Sequence, residues 1–227
     1  MTDIQAQKIK TDFATDFVNN RKELKELRDY VEENVLGFGE RAFYYLWWEL
    51  VSKMPDKFTF LEIGVFRGQT LAVIALIAEL QGKEAHCYGI TPLDGTDGHW
   101  ESDYLKDIND LHDHFDLKRP FIIHGLSTDP AIIAEAQTNT FDMVYIDGGH
   151  TKEVIESDLR HYPQLAIQYL IIDDCANDIE MPWGYFTGIQ PVTDAVNKWK
   201  AQDTLFTYVD NLVHIKYFKR NAPDTII

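Results

Sequence analysis

Phe60-Leu61-Glu62-Ile63-Gly64-Val65-Phe66-Arg67-Gly68-Gln69-Thr70 reads as a buried strand that runs into a glycine-bounded turn and then a helix. Gly64 and Gly68 let backbone approach a ligand with no Cβ in the way, and the helix opening at Gln69 turns its free amides towards that ligand. The stretch therefore predicts a site for a nucleotide-like cofactor at the carboxyl end of a strand. A P-loop requires Lys and then Ser or Thr after its last glycine, and a dinucleotide fingerprint requires Gly-x-Gly-x-x-Gly. Neither pattern is present; the order here is Glu-x-Gly-x-x-x-Gly. An ordinary strand-to-helix turn is the plainer reading of the same residues.

Upstream of this stretch, residues from about Asp12 to Lys53 read as helical, with Phe13, Phe17, Leu24, Leu27, Tyr30 and Val31 at three-and-four spacing and Gly37-Phe38-Gly39 as an interruption. The run Arg41 to Val51 holds Phe43, Tyr44, Tyr45, Trp47 and Trp48, too aromatic for an exposed helix, so it is expected to pack on a sheet, a partner subunit or the cofactor mouth. Downstream, strands are expected near His86–Ile90, Phe121–His124, Phe141–Ile146 and Tyr169–Ile172. Helices are expected over Thr70–Leu80, Trp100–Phe115, Asp129–Ala136, Thr151–Leu165 and Pro191–Lys200. Two final strands, Leu205–Val209 and Leu212–Phe218, are joined in this reading by Asp210-Asn211 as a hairpin turn. Strands alternating with helices imply an α/β fold with a parallel sheet.

The chain has 227 residues, 45% of them hydrophobic, enough for one full core, and divides at about residue 56 into an N-terminal helical extension (1–56), a lid or oligomer contact, and a main domain (57–227). Its formal charge of −16 argues against nucleic acid, whose binding requires Lys and Arg to neutralise phosphates, and favours a small-molecule acceptor. No run of eighteen apolar residues and no secretory leader pattern is present, so neither membrane association nor export is expected and a cytoplasmic location is. Cys87 and Cys175 are too few for a disulfide framework or a zinc site. The aromatic N-terminal run makes a homodimer a further expectation.

Asp147 closes the fourth expected strand of the main domain and Asp173-Asp174 the fifth. Ligands of an open parallel sheet sit beyond the carboxyl ends of its strands, so three carboxylates converge there if those strands are neighbours. Like charges in one place call for a cation, and oxygen donors alone select a hard one, Mg²⁺ first with Mn²⁺ or Ca²⁺ behind it. Helix capping and turn closure are the alternative uses of such acids. His150, three residues past Asp147, has an imidazole suited to act as a general base near neutral pH without itself being a ligand.

These segments resemble class I S-adenosylmethionine (SAM)-dependent methyltransferases. Glu-x-Gly-x-x-x-Gly is similar to their first motif, and Val144-Tyr145-Ile146-Asp147-Gly148-Gly149-His150, with Asp158 and then Ile171-Ile172-Asp173-Asp174, looks like the block of a branch that includes macrolide-sugar O-methyltransferases. The resemblance covers about Phe58 to Asp174. It implies a Rossmann-like three-layer sandwich whose mostly parallel seven-stranded sheet carries an antiparallel last strand. It also implies a Mg²⁺ site on Asp147, Asp173 and Asp174, with His150 and Asp147 catalytic. Cofactor contacts are implied at Glu62, Gly64, Arg67, Gly68, Thr70, Ser127 and Asp147. Two departures stand out: Thr91, or the displaced Asp94, occupies the place of the usual ribose-binding acid, and Ala166-Ile167-Gln168 replaces a common Pro-Gly-Gly turn. Three functions follow in order: Mg²⁺-assisted O-methylation of a sugar, polyol or phenol; metal-independent methylation of an amine or carboxylate; and a non-catalytic Rossmann-like interaction module.

Overall fold

The computed structural model describes residues 2–93 and 102–222. Three helices lead: α1 (Asp3–Asn19), α2 (Lys22–Asn34) and α3 (Phe43–Ser52). There follow β1 (Lys57–Ile63), α4 (Gln69–Leu80), β2 (Glu84–Thr91), α5 (Tyr104–His114), β3 (Phe121–His124), α6 (Pro130–Ala136), β4 (Phe141–Ile146), α7 (Lys152–His161), β5 (Ala166–Ile172), α8 (Gln190–Lys200), β6 (Phe206–Leu212) and β7 (Ile215–Arg220). The strands form one sheet in the order β3-β2-β1-β4-β5-β7-β6. The first five are parallel; β7 runs antiparallel to both β5 and β6. This is the Rossmann-like sandwich with a reversed last strand that the resemblance implies.

The central strands are near-continuous apolar runs because both faces are covered. Successive residues alternate between two cores. Phe60, Met143, Tyr145 and Ile171 point to a core shared with α1 to α5, whereas Leu61, Ile63, Val144, Ile146, Leu170 and Ile172 meet α6, α7 and α8. Helix α4 is buried almost all round, which explains why its sequence lacks a polar face. Between β1 and β4 the chain switches direction of travel across the sheet, and the crevice at their carboxyl ends is where such folds bind ligands.

The aromatic run folds inward: Trp47 packs edge-on against Phe60 and Tyr145, with ring centroids 6.0 and 5.0 Å away. Phe13 departs from the expected pattern, being 56% exposed. On α1 the inner line is Thr11, Ala14 and Val18, and Phe13 lies at its flank against the edge of Tyr45.

Other elements shift. Pro163 ends α7 and a short 3-10 turn, Pro163–Leu165, replaces its expected last turn. Strand β5 then starts at Ala166, and β2 extends at both ends. The hairpin turn is Val213-His214, not Asp210-Asn211. Asn211 is buried within β6 and accepts from Gln7 Nε2 at 3.1 Å, while the register skips Val209 between Tyr208↔Phe218 and Asp210↔Tyr217. The bulge falls at Val209, and Asp210 and Asn211 are paired residues of β6 just beyond it.

Candidate active site

At the end of β1, Gly64 adopts φ +96°, and a Cβ there would lie 1.9 Å from the carbonyl oxygen of Asp147. Only glycine permits that approach, which seats the β4 exit directly against the β1 exit. The Asp147 N–H donates to the Ile63 carbonyl at 2.9 Å, and the Asp173 N–H to the Ile146 carbonyl at 3.0 Å, so both acids hang from the last rungs of the ladder. Gly68, at φ +94°, opens α4, where a Cβ would press on Ile108 of α5.

These exits surround a cavity of about 570 Å³. Of the residues singled out in the sequence, Glu62, Gly64, Gly68, Thr70, Thr91, Ser127, Asp147, His150, Asp173 and Asp174 line it. Arg67 does not: its guanidinium pairs with Asp107 at 2.7 Å and donates to the carbonyls of Asn34 and Val35, tying α5 to the end of α2. The Thr91 hydroxyl accepts from the Leu93 N–H at 3.1 Å and turns the chain after β2. Asp94, the other candidate for the ribose, lies outside the described residues.

Glu62 is the buried acid of the floor. It is 4% exposed, its Oε2 has no partner, and burial pushes its carboxyl up to about 8 against the pull of a Thr70 hydrogen bond. An orphaned buried acceptor beside a glycine cradle fits a ligand that brings its own donor. The volume also suits a cofactor-sized molecule.

The opposite wall carries the acids. Tyr145 Oη stands 3.2 Å from Asp147 Oδ2 and closer still to Asp173 Oδ2. Burial, reinforced by the charges of Asp173, Asp174 and Glu62, pushes the Asp147 carboxyl well above the ordinary carboxylate range; burial also raises Asp173. Asp174 sits in the left-handed region at φ 53°, and Gly188, whose Cβ would lie 2.3 Å from the Asp174 carbonyl oxygen, clears space for that backbone. His150 Nε2 is 2.9 Å from Asp174 Oδ2. Asp147, His150 and Asp174 offer donor atoms within 4.8 Å of one another, as do Asp173, Asp174 and His214. Among the described residues no Lys or Arg pairs with these three acids, whose only ion-pair partners there are His150 and His214, and each donor group of two carboxylates and one imidazole fits a divalent cation.

Phe43 and Trp47 of the aromatic run line the cavity, one of the places expected for that run; what sequence reasoning missed is the segment before it, Leu36, Gly37, Phe38 and Gly39, which lines the cavity too. Its signal was the pair of glycines, which are there because a Cβ on Gly37 would fall 1.9 Å from Gln69 Oε1. His214 was missed too. The expected antiparallel last strand already places the turn before it at the carboxyl end of β5, where Ile172 pairs with Lys216.

Residues 61–175, half of the chain, match the family described as a methyltransferase domain. The chain belongs to that family, and its fold is that of the class I, SAM-dependent methyltransferases. It is therefore read as an enzyme; the idle-module alternative falls away. Solved structures share the fold. A protein from Corynebacterium glutamicum is 11% identical with a TM-score of 0.61, covering 91% of this chain and 93% of its own. An O-methyltransferase from Bacillus cereus, solved with SAH, is 13% identical at 0.60, covering 92% and 96%. Cofactor-bound Rv0187 from MTB is 12% identical at 0.60, covering 89% and 91%. No curated protein matches the sequence. No helix among the described residues is long and apolar enough to cross a membrane.

Proposed function

We propose that this methyltransferase acts on a hydroxyl of a small molecule, with SAM as donor, a divalent cation of the Mg²⁺ type on Asp147, Asp173 and Asp174, and His150 as general base. The observation that carries the reading is the meeting, in one cavity, of the Glu62–Thr70 cradle and the Asp147–Asp173–Asp174–His150 wall. SAM supplies an electrophilic methyl group, and a divalent cation supplies the Lewis acidity that makes an acceptor hydroxyl easier to deprotonate.

The chain's own residues account for the rest. Glu62 Oε2, lacking a protein donor, is available to the α-ammonium of the methionine moiety. Gly64 and Gly68 would admit that moiety against bare backbone, with Thr91 serving the ribose and Ser127 the adenine, roles supported by the presence of all four in the cavity lining. His150 accepts the proton of the acceptor hydroxyl; Asp174, 2.9 Å from its Nε2, orients the ring and stabilises it once charged, as a carboxylate does for a histidine base elsewhere. Alignment of acceptor and donor inside a walled cavity contributes most of the remaining rate. Residues 1–56 act as the lid, a role supported by Leu36 to Glu40, Phe43 and Trp47 in the lining. The loop carrying Trp183 and Phe186, both exposed, flanks the acceptor side. A charge of −16 supports a small acceptor over nucleic acid.

The test is methyl transfer from SAM to a panel of vicinal diols, catechols and sugars, with a divalent cation and with a chelator. Turnover that requires the cation and is lost in H150A with SAH binding retained supports the reading. Equal turnover in chelator on an amine or carboxylate acceptor overturns it.

A further inference from the structure

His214 occupies the two-residue turn between β6 and β7, next to a Val213 held at φ 52°. The turn is pinned from behind, since the His214 carbonyl accepts the Cys175 N–H at 3.0 Å, one residue beyond the acidic pair. The ring is 6% exposed and is gripped edge-on by Phe43 and Phe186, with centroids 4.8 and 5.0 Å away. So held, its Nε2 points at the acids, 3.3 Å from Asp173 Oδ1 and 3.8 Å from Asp174 Oδ1. Its Nδ1 is buried and has no hydrogen-bond partner. Whichever nitrogen carries the proton, protein groups satisfy one of them at most.

A histidine that served only packing would leave both ring nitrogens without use, an expensive choice where an unpaired buried polar atom costs more than an apolar side chain of the same shape; with Nε2 engaged the proton rests on Nδ1 and one nitrogen alone stays unpaired. The Phe43 and Phe186 edges would suit a leucine or phenylalanine equally. The imidazole is explained by what lies in front of Nε2: Asp173 and Asp174, whose charges have no Lys or Arg partner among the described residues and whose oxygens, with Nε2, form one donor group within 4.8 Å.

We propose that His214 Nε2, together with Asp173 and Asp174, is a ligand of the cation of the proposed function, giving a mixed nitrogen–oxygen site that prefers Mn²⁺ and its first-row neighbours to Mg²⁺. The inference rests on the cation site of the proposed function and specifies its chemistry. Mg²⁺ favours all-oxygen octahedra and gives up water reluctantly, whereas an imidazole adds affinity for Mn²⁺, Fe²⁺ and Co²⁺. The sequence pattern of acids alone points to Mg²⁺; the histidine delivered by the hairpin shifts that preference.

The test uses the purified full-length protein with Mn²⁺ as probe. Free Mn²⁺ is counted by its EPR signal to obtain affinities, and electron spin-echo modulation detects directly bound imidazole nitrogen. Wild type, H214Q, H214F, H150Q and D174N are compared, with retained secondary structure checked by circular dichroism. The expected result is Mn²⁺ binding at least tenfold tighter than Mg²⁺ measured by competition. Nitrogen modulation should be present in wild type and H150Q and absent in both His214 variants, with a Mn²⁺-to-Mg²⁺ ratio that falls several-fold in those variants. Mn²⁺ binding that needs Asp174 but shows no nitrogen modulation, or keeps it in H214Q and H214F, overturns the role of His214 and leaves the carboxylate site standing. Absence of Mn²⁺ binding in wild type, or binding indifferent to D174N, overturns the cation site itself and this inference with it.

Discussion

A Cβ on Gly64 would lie 1.9 Å from the carbonyl oxygen of Asp147, so the cofactor cradle and the acidic wall are one mechanical unit. The same glycine has φ +96°. The variant G64A must therefore accept left-handed strain, roughly 1–3 kcal/mol, and also separate β1 from the β4 exit. Gly82, at φ +68° with nothing within 4 Å of where a Cβ would stand, isolates the strain alone. Chemical denaturation should show G64A losing clearly more stability than G82A, and G64A should lose SAH binding as well. Equal losses would mean that the contact with Asp147 carries no cost.

Glu62 links the cavity to proton uptake. Burial raises its carboxyl from the ordinary 4.5 to about 8, so near pH 7 the ligand-free protein holds it mostly protonated. A cationic ammonium beside Oε2 favours the carboxylate and lowers that value again. Binding of SAH at pH 7 should then release protons, seen as a binding heat that varies with the ionisation enthalpy of the buffer. The dependence should vanish in E62Q. A buffer-independent heat in the wild type would remove Glu62 from the ammonium site.

Asp158 gives a pH signature of stability away from the chemistry. It is fully buried behind Gly148, neither carboxylate oxygen has a hydrogen-bond partner of ordinary geometry, and burial pushes it from 3.8 up to about 7 against a weaker pull from Ser127. Between those values the folded chain holds a proton that the unfolded chain has lost, so this group's contribution falls as pH rises from about 4 to about 7 and is flat beyond. The variant D158N cannot ionise. Its melting temperature relative to wild type should climb across that window and level off above pH 7; a difference constant with pH would show that Asp158 is ionised in the fold.

Much of this was legible in the sequence, for physical reasons. Apolar runs such as Met143 to Ile146 have to be buried on two faces, so the parallel sheet followed from them, and acids placed after such runs fall at the ligand-binding edge whatever the loops do. That is why Glu62, Asp147, Asp173 and Asp174 could be named in advance and found around one cavity. What could not be read depended on contacts distant in sequence. Arg67 sits inside the glycine-bounded turn yet is turned away by Asp107, forty residues on. Asp210-Asn211 carries turn chemistry, but Asn211 is buried against Gln7 of α1, both residues pair with β7 just beyond a bulge at Val209, and the turn falls at Val213-His214. His214 thereby reaches the acids through a register that only the paired strands define.

The central claim is that one cavity holds SAM and a divalent cation together. Its most direct test is calorimetric titration of SAH into the purified protein, followed by Mg²⁺ and, separately, Mn²⁺ into the SAH-loaded protein, for wild type and D174N. Asparagine tolerates the left-handed backbone at φ 53°, so this variant changes the charge and keeps the conformation. The predicted result is micromolar SAH binding in both proteins and cation binding in the wild type that is lost in D174N. No SAH binding in the wild type, or cation heat untouched by D174N, would contradict it.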